Sequence, residues 1–92
     1  MKSQKIIIEQ RERIDKITEK LIELIAERKK LTFKISELKK KSSIPSIDHE
    51  REKKIISNAK KLAKKFKVSP SLVENIMKLL INDSRKTKVN LL

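Results

Sequence analysis

Arg28 interrupts a run of aliphatic residues. Ile14, Ile17, Leu21, Leu24, Leu31, Ile35 and Leu38 step by three and four along the chain, and Arg28 takes the place between Leu24 and Leu31. A guanidinium on an apolar stripe is costly unless something pairs with it. Its planar fork suits a carboxylate bound through both oxygens. Lys39 follows Arg28 by three helical turns plus about 20°, about 16 Å along the axis of an ideal helix. Two long side chains so placed can reach the two sides of one small anion. Arg11 lies about 25 Å to the other side of Arg28 by the same rise and cannot reach that anion from its own helix. If two copies of the helix pack antiparallel about a centre near Ile22, Arg11 of one falls opposite Phe33 of the other, between Arg28 and Lys39. Two identical sites per symmetric dimer would follow.

A second set of polar residues extends the inward faces of two later segments. Glu52 continues the stripe of Ile55 and Ile56 backwards; Ser84 and Lys88 continue that of Leu80 forwards. Asp48 and Glu52 are four apart on one helical face, a spacing that can serve glycoside hydrolysis or metal binding. Here the pair sits beside Arg51 at a helix start. Both features favour ionised carboxylates and argue against an acid catalyst. Their better use is to accept a hydrogen bond from a hydroxyl. The ligand called for is a small dianion with a hydroxyl group. The lone His49 reads as an exposed residue at the start of a helix. With no Cys and one His, a metal site and thiol chemistry are not expected, and no cofactor is called for.

These residues need long helices to hold them. The fold class read from the chain is all-α, with three helices: one about 6–41, one about 49–65 and one about 70–89. Ser42, Ser43 and Pro45 end the first; Asp48 is the expected N-cap of the second. Ser69 is the expected N-cap of the third, with Pro70 at its first position. The second helix is expected to turn Ile55, Ala59, Leu62 and Phe66 inward, and the third Leu72, Val73, Ile76, Met77, Leu80 and Ile81. Residues 1–5 and 90–92 are expected to be loose ends. A first helix so long cannot fold onto itself within 92 residues and needs a partner along its length.

The totals agree. Residues 1–92 make one domain, with no second activity expected. There is no Gly, which disfavours tight hairpins. The net charge of +13 invites a nucleic-acid reading, but Lys and Arg are spread over both halves and the only aromatics are Phe33 and Phe66. Neither nucleic acid nor a membrane is the expected partner, and the triple isoleucine near the N-terminus is too short for a signal-peptide core or a bilayer span. A cytoplasmic location is expected.

Taken together, R-x-R-I-D-x-I-x-x-K-L-I-x-L-I-A-E-R from Arg11 to Arg28, then Lys39, then P-x-I-D-H-E-R-E from Pro45 to Glu52, then I-x-D-S from Ile81 to Ser84 resemble the all-helical chorismate mutases of the AroQ class. The resemblance covers nearly the whole chain. It implies an intertwined homodimer with antiparallel long helices, and rearrangement of chorismate to prephenate on the route to Phe and Tyr, without a cofactor. It implies that Arg28 and the partner's Arg11 hold the substrate carboxylates and that Lys39 bonds the ether oxygen. Asp48 and Glu52 would receive the ring hydroxyl, with Arg51 and Ser84 framing that end. One position departs: the family's bacterial pattern commonly has Gln where Lys88 stands, which keeps a donor and adds a charge. Three alternatives stay open: an isochorismate-pyruvate lyase of the same fold, a non-catalytic basic helical binding module, and a regulatory copy whose activity depends on a partner enzyme. Retention of the stretch from Asp48 to Glu52 favours the mutase.

Overall fold

The computed structural model describes residues 1–45 and 47–90, with side chains as far as residue 86; the side chain of Lys88, and Leu91 and Leu92, lie outside the described residues. Among the described residues the chain is all-helical: α1 (Lys2–Lys41), α2 (His49–Lys65) and α3 (Pro70–Asn90). It divides into two compact units, Met1–Leu31 and the chain from Thr32 onward.

The first unit is the N-terminal part of α1. No Pro or Gly interrupts it, and Glu9 with Arg13 and Glu12 with Lys16 stand at the i,i+4 spacing that supports a helix. The helix begins at Lys2, not near Ile6, and the Lys5 N–H donates to the Met1 carbonyl at 3.2 Å. The expected loose N-terminal end is therefore helical. Its strong helix formers carry the pattern through the charged flank. The apolar stripe of this unit is open: Ile14, Ile17, Leu21 and Leu24 are all exposed, whereas Arg28 is half-buried.

In the second unit, the last turns of α1 cover a face other than the one the stripe predicts. Ser36 is buried, and Thr32, Phe33 and Lys39 are half-buried, while Leu31 of the first unit and Ile35 and Leu38 of the second are exposed. Both α1 and α2 end in the same way. Ser43 (φ 56°) and Lys67 (φ 58°) take the left-handed conformation just past the helix. The Ile44 N–H then donates to the Lys39 carbonyl at 2.9 Å, and the Val68 N–H to the Ala63 carbonyl at 2.8 Å. This is the Schellman arrangement, with an apolar residue following the left-handed one, built here without glycine. The side-chain oxygen of Asp48 accepts from the Arg51 N–H at 3.0 Å, and Ser69 Oγ accepts from the Leu72 N–H at 3.4 Å. Both expected N-caps are thus formed.

A short connection folds α3 back on α2. Ala59, Ala63 and Ile81 are the buried apolar residues of this contact, with Ile55, Ile56, Val73, Met77 and Leu80 half-buried. Two expected stripes are displaced. Leu62 and Phe66 of α2, and Leu72 and Ile76 of α3, are exposed. The small side chains Ala59 and Ala63 let the backbones approach, so the contact runs along Glu52, Ile56, Ala59 and Ala63. The larger apolar residues fall on a neighbouring face. Phe66 instead lies under the Lys65 ammonium, 5.7 Å from the ring centre. No helix is long and apolar enough to cross a membrane among the described residues.

Candidate active site

Arg11 and Arg28 lie in the first unit, and Lys39, Asp48, Arg51, Glu52 and Ser84 in the second. Arg11 is exposed on α1. Arg28 is half-buried with exposed Leu24 and Leu31 on either side of it. Lys39 is half-buried three residues after buried Ser36, and its carbonyl takes part in the helix stop described above. A Lys in the last turn also favours the negative end of the helix dipole.

The first turn of α2 brings Asp48, His49, Arg51 and Glu52 together. The Asp48 carboxylate caps the helix through the Arg51 N–H, so part of its acceptor capacity serves the backbone. Arg51 itself is exposed. Glu52 is turned towards α3, where Arg85 meets it with both arms of its fork. Arg85 Nε donates to Glu52 Oε2 at 2.9 Å and Nη2 donates to Oε1. His49 Nδ1 is 3.4 Å from the same Oε1. The Arg85 guanidinium, with a smaller contribution from His49, holds the Glu52 carboxyl below its ordinary range, although burial opposes it. Arg85 is held correspondingly above its ordinary value by Glu52. The ionised state expected for Glu52 is therefore present, but its main cause is Arg85 across the helix pair and not neighbouring Arg51.

Ser84 is buried one residue before Arg85, and its Oγ donates to the Leu80 carbonyl at 3.0 Å. Lys88 lies outside the described side chains. Arg85 is a site residue that the apolar periodicity alone does not reveal. The signal was there: Arg85 lies one turn beyond Ile81, and Glu52 one turn before Ile56, so opposite charges continue the facing stripes of two antiparallel helices. Glu52, Ile56, Lys78, Ile81, Asn82 and Arg85 line a shallow cleft at this point. No group of His, Cys, Asp and Glu able to hold a metal occurs among the described residues.

Arg11, Arg28 and Lys39 stand on α1, Glu52 on the Asp48-capped α2 and Ser84 on α3. Residues 10–89 match the sequence profile of chorismate mutase type II. The chain belongs to the chorismate mutase type II family. The match spans every candidate residue from Arg11 to Lys88. A chorismate mutase of Methanocaldococcus jannaschii is 37% identical over 79 residues, which cover 86% of this chain and 80% of that protein. A bifunctional chorismate mutase/prephenate dehydratase of Buchnera aphidicola (subsp. Acyrthosiphon pisum) is 35% identical over 82 residues, 89% of this chain and 21% of that protein. The bifunctional protein of the same name from Escherichia coli K12 is 30% identical over 92 residues, all of this chain and 24% of that protein. The chain thus spans about a fifth to a quarter of the length of these bifunctional relatives and most of the length of the single-function one.

Proposed function

We propose that the chain is a chorismate mutase in activity as well as in family, working as an intertwined homodimer with antiparallel long helices and located in the cytoplasm. The observation that carries this reading is Arg28, half-buried among exposed leucines, inside a family match that also contains Arg11, Lys39, Glu52 and Ser84. The open apolar stripe of α1 supports the dimer. A second α1 laid against it covers Ile14, Ile17, Leu21 and Leu24, and carries Arg11 of one chain to the Arg28 and Lys39 of the other.

The rearrangement is intramolecular: an ether C–O bond breaks, a C–C bond forms, and no proton, electron or group leaves the molecule. It asks for no nucleophile, base, metal or cofactor. Arg28 and the partner's Arg11 bind one substrate carboxylate each and select the compact conformer in which the reacting carbons approach. Lys39, with Lys88 as a second donor, meets the negative charge that grows on the ether oxygen. Glu52 accepts from the ring hydroxyl, and Asp48, Arg51 and Ser84 frame that end.

The test is loss of chorismate followed by ultraviolet absorbance, with the product identified as prephenate and not as pyruvate. Arg28→Ala and Arg11→Ala homodimers are each expected to lose activity by orders of magnitude. Mixed and refolded together, they restore one intact site of the two in every heterodimer. Heterodimers that stay inactive would overturn the cross-chain assignment, and a wild-type chain that leaves chorismate untouched would overturn the activity.

A further inference from the structure

The rearrangement has a role for Glu52 but none for the guanidinium that grips it. We propose that Arg85 is a positioning residue: its fork fixes the Glu52 carboxylate so that one acceptor direction stays open for the substrate hydroxyl. This rests on the activity proposed above. A carboxylate offers about four acceptor directions, two on each oxygen. Arg85 takes one on Oε2 through Nε and one on Oε1 through Nη2. His49 Nδ1 stands against Oε1 at 3.4 Å. The direction left is on Oε2, which suits a single hydroxyl donor. Glu52 is largely covered, its side chain only 15% accessible, so its orientation is set by these neighbours and not by water. Lys78 and Asn82 of α3 line the same cleft. Lys78 is engaged by Glu74 at 3.5 Å, so without Arg85 the carboxylate has His49 to turn towards.

A purely structural role fits the geometry less well. α2 and α3 are already joined by a second ion pair, Lys60 Nζ to Glu74 Oε1 at 3.3 Å. That pair is a single-point contact between more exposed groups, of the kind that adds little to stability. The Arg85 pair is two-pronged, lies at the opposite end of the hairpin, and ends on the carboxylate assigned to the substrate. Two-pronged pairing adds directional control that a point contact lacks.

The experiment measures kcat, KM and melting temperature for wild type, Arg85→Ala, Arg85→Lys and Glu74→Gln from about pH 4.5 to about pH 8, a range that brackets an unclamped glutamate. Wild type is expected to hold kcat/KM level across it. Arg85→Ala is expected to raise KM about tenfold or more at neutral pH and to bring an acid limb into the range, as Glu52 loses the cation that keeps it ionised. Added guanidinium should recover part of kcat/KM for Arg85→Ala, and Arg85→Lys should lie between the two. Glu74→Gln should lower the melting temperature and leave KM and the pH profile as they are. An Arg85→Ala enzyme with the KM and pH profile of wild type overturns the inference. So does a loss of activity that merely follows the melting temperature, as Glu74→Gln calibrates it. If Arg85→Ala does not fold, Arg85→Lys and Glu52→Gln carry the test. Glu52→Gln is then expected to show no acid limb in either Arg85 background, and a limb that persists overturns the inference. A wild-type chain inactive on chorismate removes the activity proposed above, whereas an active wild type with an unmoved Arg85→Ala profile removes only this inference.

Discussion

Replacing Leu24 by Ala tests whether the open stripe of α1 is an interface. Ala keeps the helix, because it is the strongest helix former, so the change acts on association and not on α1 itself. Leu24 retains 61% of its accessibility in the single chain. Burying a leucine completely stabilises by about 1.5–3 kcal/mol, so burying what remains contributes about 0.9–1.8 kcal/mol. A symmetric dimer contains the residue twice, which makes the expected loss about 2–4 kcal/mol before any cavity is counted. The dissociation constant should rise by roughly 30- to 1,000-fold. Glu19→Ala, on the opposite face of the same helix, should change it little, since exposed substitutions away from an interface stay within about 0.5 kcal/mol. Sedimentation over a dilution series reads the constant directly. If each site draws Arg11 from the partner, as proposed, chorismate turnover per chain should fall over the same dilutions. A wild-type chain that sediments as a monomer with turnover unaffected by dilution would refute the interface, as would a Leu24→Ala dimer as tight as wild type.

Two further outcomes follow from particular contacts. Lys67 holds a left-handed conformation at the end of α2, which costs a non-glycine residue roughly 1–2 kcal/mol, while glycine gives back about 0.5–1 kcal/mol through its freer unfolded chain. Lys67→Gly should therefore stabilise by about 0.5–1 kcal/mol and raise the melting temperature by a few degrees, read by circular dichroism, and an unchanged or lower value would mean the loop carries no such strain. Glu52 is held below its ordinary value of 4.5 by Arg85, so in the unfolded chain it binds its proton at a higher pH than in the folded one. The stability it contributes is then fully present above the ordinary range and lost as pH falls through the folded-state value. Urea unfolding of wild type and Glu52→Gln should differ at neutral pH and converge in acid below the ordinary value. A difference undiminished in acid would show that the ionised pair is not its source.

The helices were legible because their signals are local. Asp48, Ser69 and Pro70 mark helix starts by side-chain chemistry that acts within one turn, and both starts stand where the sequence puts them. The faces were less legible. Periodicity shows that Leu62, Phe66, Leu72 and Ile76 share apolar stripes, but not which of two adjacent stripes meets the other helix. That choice depends on Ala59 and Ala63, whose small size decides how closely the helices approach. Arg85 escaped for a related reason. A charge on an inward stripe reads as the end of the stripe until its opposite on another helix is known, and the Glu52–Arg85 pairing depends on the fold of the hairpin.

The distribution of apolar surface points in the same direction as the charges. Ala59, Ala63 and Ile81 are the buried apolar residues of the described chain, while twelve aliphatic residues of α1 from Ile6 to Leu38 stay exposed. Had α1 been shaped to stabilise its own chain, Leu31, Ile35 and Leu38 would be covered and Thr32, Ser36 and Lys39 would face water. The covered and open faces are the reverse. The aliphatic face of α1 is thus open in the single chain, and Arg28 stands on that face. In the dimer proposed above, a second α1 closes this face and excludes water, and Arg28 there meets a substrate carboxylate.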